Sequence, residues 1–211
     1  MKRNVKYIAA IFCLGLIIFL SLDVRNLDEY RASATSKAFD ASSYARQFWE
    51  EGLPAAAENA PDVKLLVKLV DEDPETAFEM YGHKLGISKT FYFMVKGSGK
   101  VKSVEDEFLV VDLGEGLVVK IATAFIFGNA VRDGSGIIDI DDFQNMTDFN
   151  YVSVAINKLV KEGVANRLKK TANLGKHLEF AGVVEIREGN INIDSLRIVP
   201  VSVKISDGRP N

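Results

Sequence analysis

Residues 90–104 read TFYFMVKGSGKVKSV, and the character of the chain changes at this stretch. Before it, apolar residues recur at helical spacing; from Thr90 onward they alternate, which is the period of a strand. Phe91 to Val95 and Lys100 to Val104 are strand-like, with Gly97 and Gly99 between them. Two glycines inside one long strand mark a bend or a bulge. Phe108 to Leu113 is a second strand, and Gly114-Glu115-Gly116 is a turn. Leu117 to Phe127 is a third, placing Leu117, Val119, Ile121, Thr123, Phe125 and Phe127 on one face. A glycine-rich loop, Asp133-Gly134-Ser135-Gly136, comes next.

Residues 142–170 return to helical spacing, with Phe149, Val152, Ile156, Leu159 and Val160 as the apolar stripe and Gly163 as a break or kink. His177 to Arg187 is a strand again, Glu188-Gly189-Asn190 signals a hairpin, and Ile191 to Ile205 is the last strand. Pro200 restricts that strand to an edge or a bulge. Three strands, a helix and two strands is the order of a five-stranded OB barrel.

Residues 25–89 read as a helical collar. Asp40 caps a helix from Ala41 to Glu51 that stops at Gly52, Asp62 precedes a second, and Asp73-Pro74 starts a third that closes at Gly82. The expected fold is therefore α+β: a collar over 25–89, an OB-like domain over 90–206 and a tail over 207–211.

The N-terminus sets the compartment. Lys2, Arg3 and Lys6 precede an uncharged, mostly apolar run from Tyr7 to Leu22. As a helix it spans about 24 Å, short of a bilayer core of roughly 30 Å, though flanking Lys6 and Asp23 can snorkel. Large side chains follow the run where a cleavage site wants small ones. Residues 1–24 are therefore read as an uncleaved anchor, with the N-terminus in the cytoplasm and the bulk of the chain outside it, on a bacterial inner membrane. Cys13 falls inside the run as an apolar filler. The formal net charge of −3 includes those three cations, so residues 7–211 carry −6. An acidic exported body disfavours nucleic acid as a partner.

Catalytic patterns are missing. No phosphate loop, dinucleotide fingerprint or nucleophile elbow occurs, and the one cysteine lies in the anchor. His83 and His177 read as surface residues. Asp139, Asp141 and Asp142 fail the calcium-loop pattern, because Gln144 and Asn150 stand where glycine and glutamate are needed. Asp141 or Asp142 is expected to cap the next helix. No catalytic residue, metal or cofactor is expected. The candidate site is the segment between the third strand and the helix: Gly128, Arg132, Asp133, Asp142 and Asn145. The planar fork of Arg132 suits a carboxylate or phosphate. The competing reading is an internal ion pair that pins the loop, for example Arg132 with Asp142, or a structural pair of Arg132 with the adjacent Asp133.

Gly128-x-Ala130-Val131-Arg132-Asp133, Gly136, Asp142-Phe143-x-Asn145, Tyr151 and Asn157 resemble a family of uncharacterised bacterial proteins, domain-of-unknown-function family 2291, described as predicted periplasmic lipoproteins. Tyr44 with Trp49, Asp73-Pro74 and the early glycine strand extend the resemblance over most of residues 35–205. This chain has Met146 where the family pattern has glutamine, and no cysteine where a lipid would attach. The resemblance implies an accessory role in solute import, with sugar-transporter components as partners. The alternative is a sensor or carrier of a small solute, a sugar or an anion, held by the Arg132 loop.

Overall fold

The computed structural model describes residues 39–126, 128–193 and 196–206. The expected anchor with Cys13, Phe127 and the tail 207–211 lie outside the described residues. Among the described residues no helix is long and apolar enough to cross a membrane. The described residues from 40 to 206 belong to one compact unit.

Helix α1, Ala41–Gln47, starts at Asp40, whose carboxylate accepts from the Ser42 and Ser43 backbone N–H groups. Gly52 does not stop it. The helix widens into a π-turn over Phe48–Gly52 and continues as α2, Leu53–Asn59. Pro54 explains the widening: it has no N–H, and its ring would meet the carbonyl one turn back in a regular α-helix. Helix α3, Val63–Glu72, is capped by Asp62, and α4, Pro74–Tyr81, by Asp73.

Strand β1 is a single strand, Thr90–Val104, and runs through both glycines. A Cβ on Gly99 would run into the Asp112 carbonyl, and one on Gly97 would sit 2.9 Å from the Phe180 ring. Just beyond them, Lys100 faces both His177 and Asp112, so β1 passes from pairing with β4 to pairing with β2 at this point. The bulge lies slightly later, between Val101 and Ser103.

Strand β2 is Phe108–Gly114. Strand β3 is Leu117–Ala122, five residues shorter than its alternation suggested. The chain bends after Ala122, with the Thr123 N–H bonded to the Glu107 carbonyl and Phe125 at φ 54°. The short helix α5, Ala130–Gly134, occupies part of the expected glycine loop, and a 3-10 turn spans Ile140–Asp142. Helix α6, Met146–Leu159, widens into a π-turn over Val160–Ala165 at Gly163 and continues as α7, Asn166–Thr171.

Strands β4, His177–Arg187, and β5, Arg197–Ser206, complete the sheet. β5 begins six residues later than its pattern suggested, because pairing with β4 begins only at Ile198, opposite Val184. The sheet closes as a barrel in the order β1-β2-β3-β5-β4, with β3 and β5 parallel and the other pairs antiparallel.

Two apolar cores lie on the two faces of the sheet. Alternation sends Phe91, Phe93 and Val95 inward, where Leu66 and Phe78 of the α3–α4 pair and Leu168 of α7 join them. Phe78 packs edge-on against Phe91 and Phe93 at 4.6 and 5.5 Å between ring centroids. Met94, Ala181, Val183 and Val201 face outward and are covered by Phe48 of the first π-turn, Leu53 of α2, and Phe149 and Val152 of α6. β1 and β4 are thus buried on both faces. Each fully buried Phe or Val contributes about 1.5–3 kcal/mol.

Candidate functional site

The segment 128–145 connects the barrel to its outer helical layer. Gly134 brings the backbone onto β4: a Cβ there would lie 2.5 Å from Val183 Cγ1. Gly136 adopts φ 67°, and a Cβ on it would strike the His83 ring. Between these contacts and the start of α5, Arg132 points inward and is only 1% exposed.

Its guanidinium is held on three sides. Nε donates to Asp133 Oδ1 at 2.6 Å, and Nη1 donates to the Phe149 carbonyl at 3.2 Å. The guanidinium carbon lies 3.5 Å from the centroid of the Phe149 ring. The Asp133 side chain is 7% exposed, so the pair is shielded from water. Ser135 Oγ donates to the Arg132 carbonyl at 2.7 Å. Arg132 Nη2 is buried and has no partner among the described residues. Of the two pairings left open by the sequence, the one with the neighbouring Asp133 is formed, and none with Asp142 occurs among the described residues.

Of the other three candidates, Asn145 and Gly128 brace the surroundings. Asn145 caps α6: Oδ1 accepts from the Asp148 N–H at 2.9 Å and Nδ2 donates to the Asp148 carboxylate at 2.8 Å. Neither Asp141 nor Asp142 performs that role. Asp139 instead caps the 3-10 turn by accepting from the Asp141 N–H. The reason is spacing: α6 starts at Met146, which places position 145 at the cap. Asp142 is exposed, and its charge acts on Tyr44, whose phenol is pushed up by burial and then by Asp142. Gly128, at φ 85°, presents its carbonyl to Asn157 Nδ2 at 2.9 Å. Arg132 and Asp133 are therefore joined directly, while Gly128 and Asn145 hold the same segment to α6.

Beside this cluster lies a cavity of about 490 Å³, walled by Asp133, Phe149, His83, Lys84 and Asp139. Burial lowers the His83 pKa. The His83 backbone pairs with Tyr92, and the Tyr92 phenol is pushed up by burial, then by Glu185 and Asp133. Among the described residues no group of three or more His, Cys, Asp or Glu side chains is placed to hold a metal ion.

A groove of about 620 Å³ lies elsewhere, between α1–α2 and the outer face of β1, β4 and β5, with Trp49, Glu179, Ser202 and Lys204 on its walls. Its polar residues form no motif in the sequence and were not among the candidates. The lone tryptophan and the alternating polar positions of the C-terminal strands are each visible in the sequence, but lie too far apart in it to signal one site.

A family model described as predicted periplasmic lipoprotein (DUF2291) matches residues 12–204. Among solved structures, the crystal structure of an OB-fold protein from Thermotoga maritima is similar, with 27% identity over 81% of this chain and 100% of that chain, and a TM-score of 0.71. No curated protein matches the chain.

Proposed function

Because the chain belongs to the family of predicted periplasmic lipoproteins, we propose that it is a non-catalytic binding or accessory module. It works outside the cytoplasm, beside a solute-uptake transporter. The observation that carries this reading is the inward use of the family-like motif. Arg132, the group best suited to chemistry, is consumed by Asp133 and Phe149 beneath the surface. Its charge holds a fold together and leaves the outer surface for partners. Residues 7–22 tether the module to the bacterial inner membrane, in place of the lipid that the family description implies. The acidic body is suited to protein or solute partners and poorly suited to nucleic acid.

The test is crosslinking of the full-length protein in its native membrane, followed by mass spectrometry. Recovery of a permease or solute-binding component, sugar-transporter components above all, is the expected result. Recovery of cytoplasmic or nucleic-acid-binding proteins alone would overturn the reading.

One observation favours a second reading, a small-solute sensor at the Arg132 segment. Arg132 Nη2 is buried without a partner among the described residues, and Asp133 and Phe149, which hold its guanidinium, line a cavity that Arg132 itself does not reach. On this reading the segment opens so that an acceptor on a bound sugar or anion reaches it. On this reading a solute raises the melting temperature of the wild type and has no effect on Arg132→Lys.

A further inference from the structure

We propose that the groove beside Trp49 binds an uncharged polyhydroxylated ligand, a mono- or oligosaccharide. The proposal rests on the reading of the chain as a binding module, and adds the site and the ligand class.

Strand register builds the floor. Ser98 pairs with Glu179, and Glu179 with Lys204, forming one row across β1, β4 and β5. Lys96, Ala181 and Ser202 form the next outward row. All six line the groove. A bulge shapes its edge: Ala181 pairs with Ser202 and Gly182 with Pro200, so Val201 has no opposite number. The extra residue lets Val201 and Ser202 both line the groove, where strict alternation would allow one of them. Pro200, which cannot donate to a ladder, sits at this irregularity.

The polar groups of the floor are available. Among the described residues, the side chains of Ser98, Glu179, Ser202 and Lys204 make no hydrogen bond or ion pair, although Glu179 and Lys204 face each other across neighbouring strands. Lys96 is engaged, donating to the Glu58 carbonyl at 2.6 Å. The opposite wall is apolar, formed by Trp49, Leu53, Pro54 and Ala57.

The two walls together set the chemistry of the ligand. A carboxylate accepts, an ammonium donates and a hydroxyl does both. Together they match a ligand whose hydroxyls both donate and accept. The aromatic wall matches the apolar face of a sugar ring. Carboxylates and ammonium groups are nearly balanced in the groove, with Glu58, Asp62 and Glu179 against Lys96 and Lys204. That balance gives no preference for a polyanion or a polycation. The volume falls within the roughly 300–1,000 Å³ of small-molecule clefts.

Trp49 is the one tryptophan of the chain, so its emission reports on the groove. The full-length protein, in a polyoxyethylene detergent free of sugar headgroups, is titrated with a panel of mono- and disaccharides and with phosphate and sulfate. The expected result is a saturable change in emission with at least one saccharide and none with either anion. Glu179→Ala then weakens binding about tenfold or more, as loss of a hydrogen bond to a charged group does. Ser202→Val, which fills the floor with methyl groups, also weakens binding, and circular dichroism verifies the fold of both variants. No saturable response to any saccharide, saturation by the anions alone, or affinity unchanged in both folded variants would overturn the assignment. Such a failure with transporter components still captured by crosslinking would leave the accessory reading standing.

Discussion

Replacing Arg132 by methionine isolates the charge from the volume it fills. Methionine is long and flexible enough to occupy most of the guanidinium's space, so the cavity term is small. What remains is the Asp133 carboxylate, 7% exposed and stripped of its 2.6 Å partner. Breaking a buried pair by removing one partner costs about 3–5 kcal/mol. The Phe149 carbonyl also loses a donor and its ring loses the stacked cation. Against this, the substitution removes the unpartnered Nη2, whose burial is itself unfavourable. The lower end, about 3 kcal/mol, is therefore expected. For a domain of this size that corresponds to a fall in melting temperature of about 6–12 °C. The assay is thermal and urea unfolding of the full-length protein, alongside Asp133→Asn and the double variant. The double variant should be more stable than Arg132→Met alone, because no uncompensated charge remains buried. A cost below about 0.5 kcal/mol for Arg132→Met, or strict additivity in the double variant, would sink the idea of a coupled structural pair.

Asn145→Ala removes the α6 cap and should cost about 0.5–2 kcal/mol in urea unfolding, with the m-value unchanged. Gly134→Ala forces a methyl group against Val183 on β4 and should cost about 1–3 kcal/mol; a melting temperature equal to wild type would show that the segment is less tightly seated than the distances indicate. His83 has a lowered pKa in the folded state, so below about pH 6.5 the unfolded chain binds the extra proton first and stability falls with pH through the folded value. His83→Gln should flatten that part of a stability–pH curve. Asp40 and Asp73, held low mainly by hydrogen bonds from Ser43 and Thr76 respectively, act in a separate window: their contributions are lost only at strongly acid pH, below the usual carboxylate range.

Much of the fold was legible because its signals are local. The alternation from Thr90, the Gly97 and Gly99 pair, the Asp62 and Asp73 caps and the Glu188-Gly189-Asn190 turn each specify their element within a few residues. The differences arose where tertiary partners decide. Phe125 continues the alternation of β3, yet pairing with β5 stops at Ile121 and pairing with β2 at Ala122, and the chain turns with Phe125 at φ 54°. Gly52 resembles a helix stop, but the π-turn before Pro54 carries the helix through it. At the candidate site, the Arg132 pair was foreseeable as a class, since an arginine near acids invites an internal salt bridge. The sequence could not choose between Asp142 and Asp133 as its partner, because adjacent residues such as Arg132 and Asp133 rarely face each other in a regular helix. Here the single turn of α5, with Gly134 pressed on Val183, brings them together. The groove was hidden for a similar reason. Trp49 and Lys204 are 155 positions apart in sequence, and only the closure of β4 against β1 and β5 makes them neighbours.

Arg132→Lys keeps a positive charge but loses the planar fork that serves both Asp133 and Phe149. On one membrane preparation of this variant, melting temperature and crosslinked capture of transporter components per folded molecule should be measured together. The proposed reading, in which Arg132 holds the fold and partners bind elsewhere, predicts a lower melting temperature with capture per folded molecule unchanged. Capture lost at an unchanged melting temperature would be incompatible with that division and would make Arg132 a binding residue.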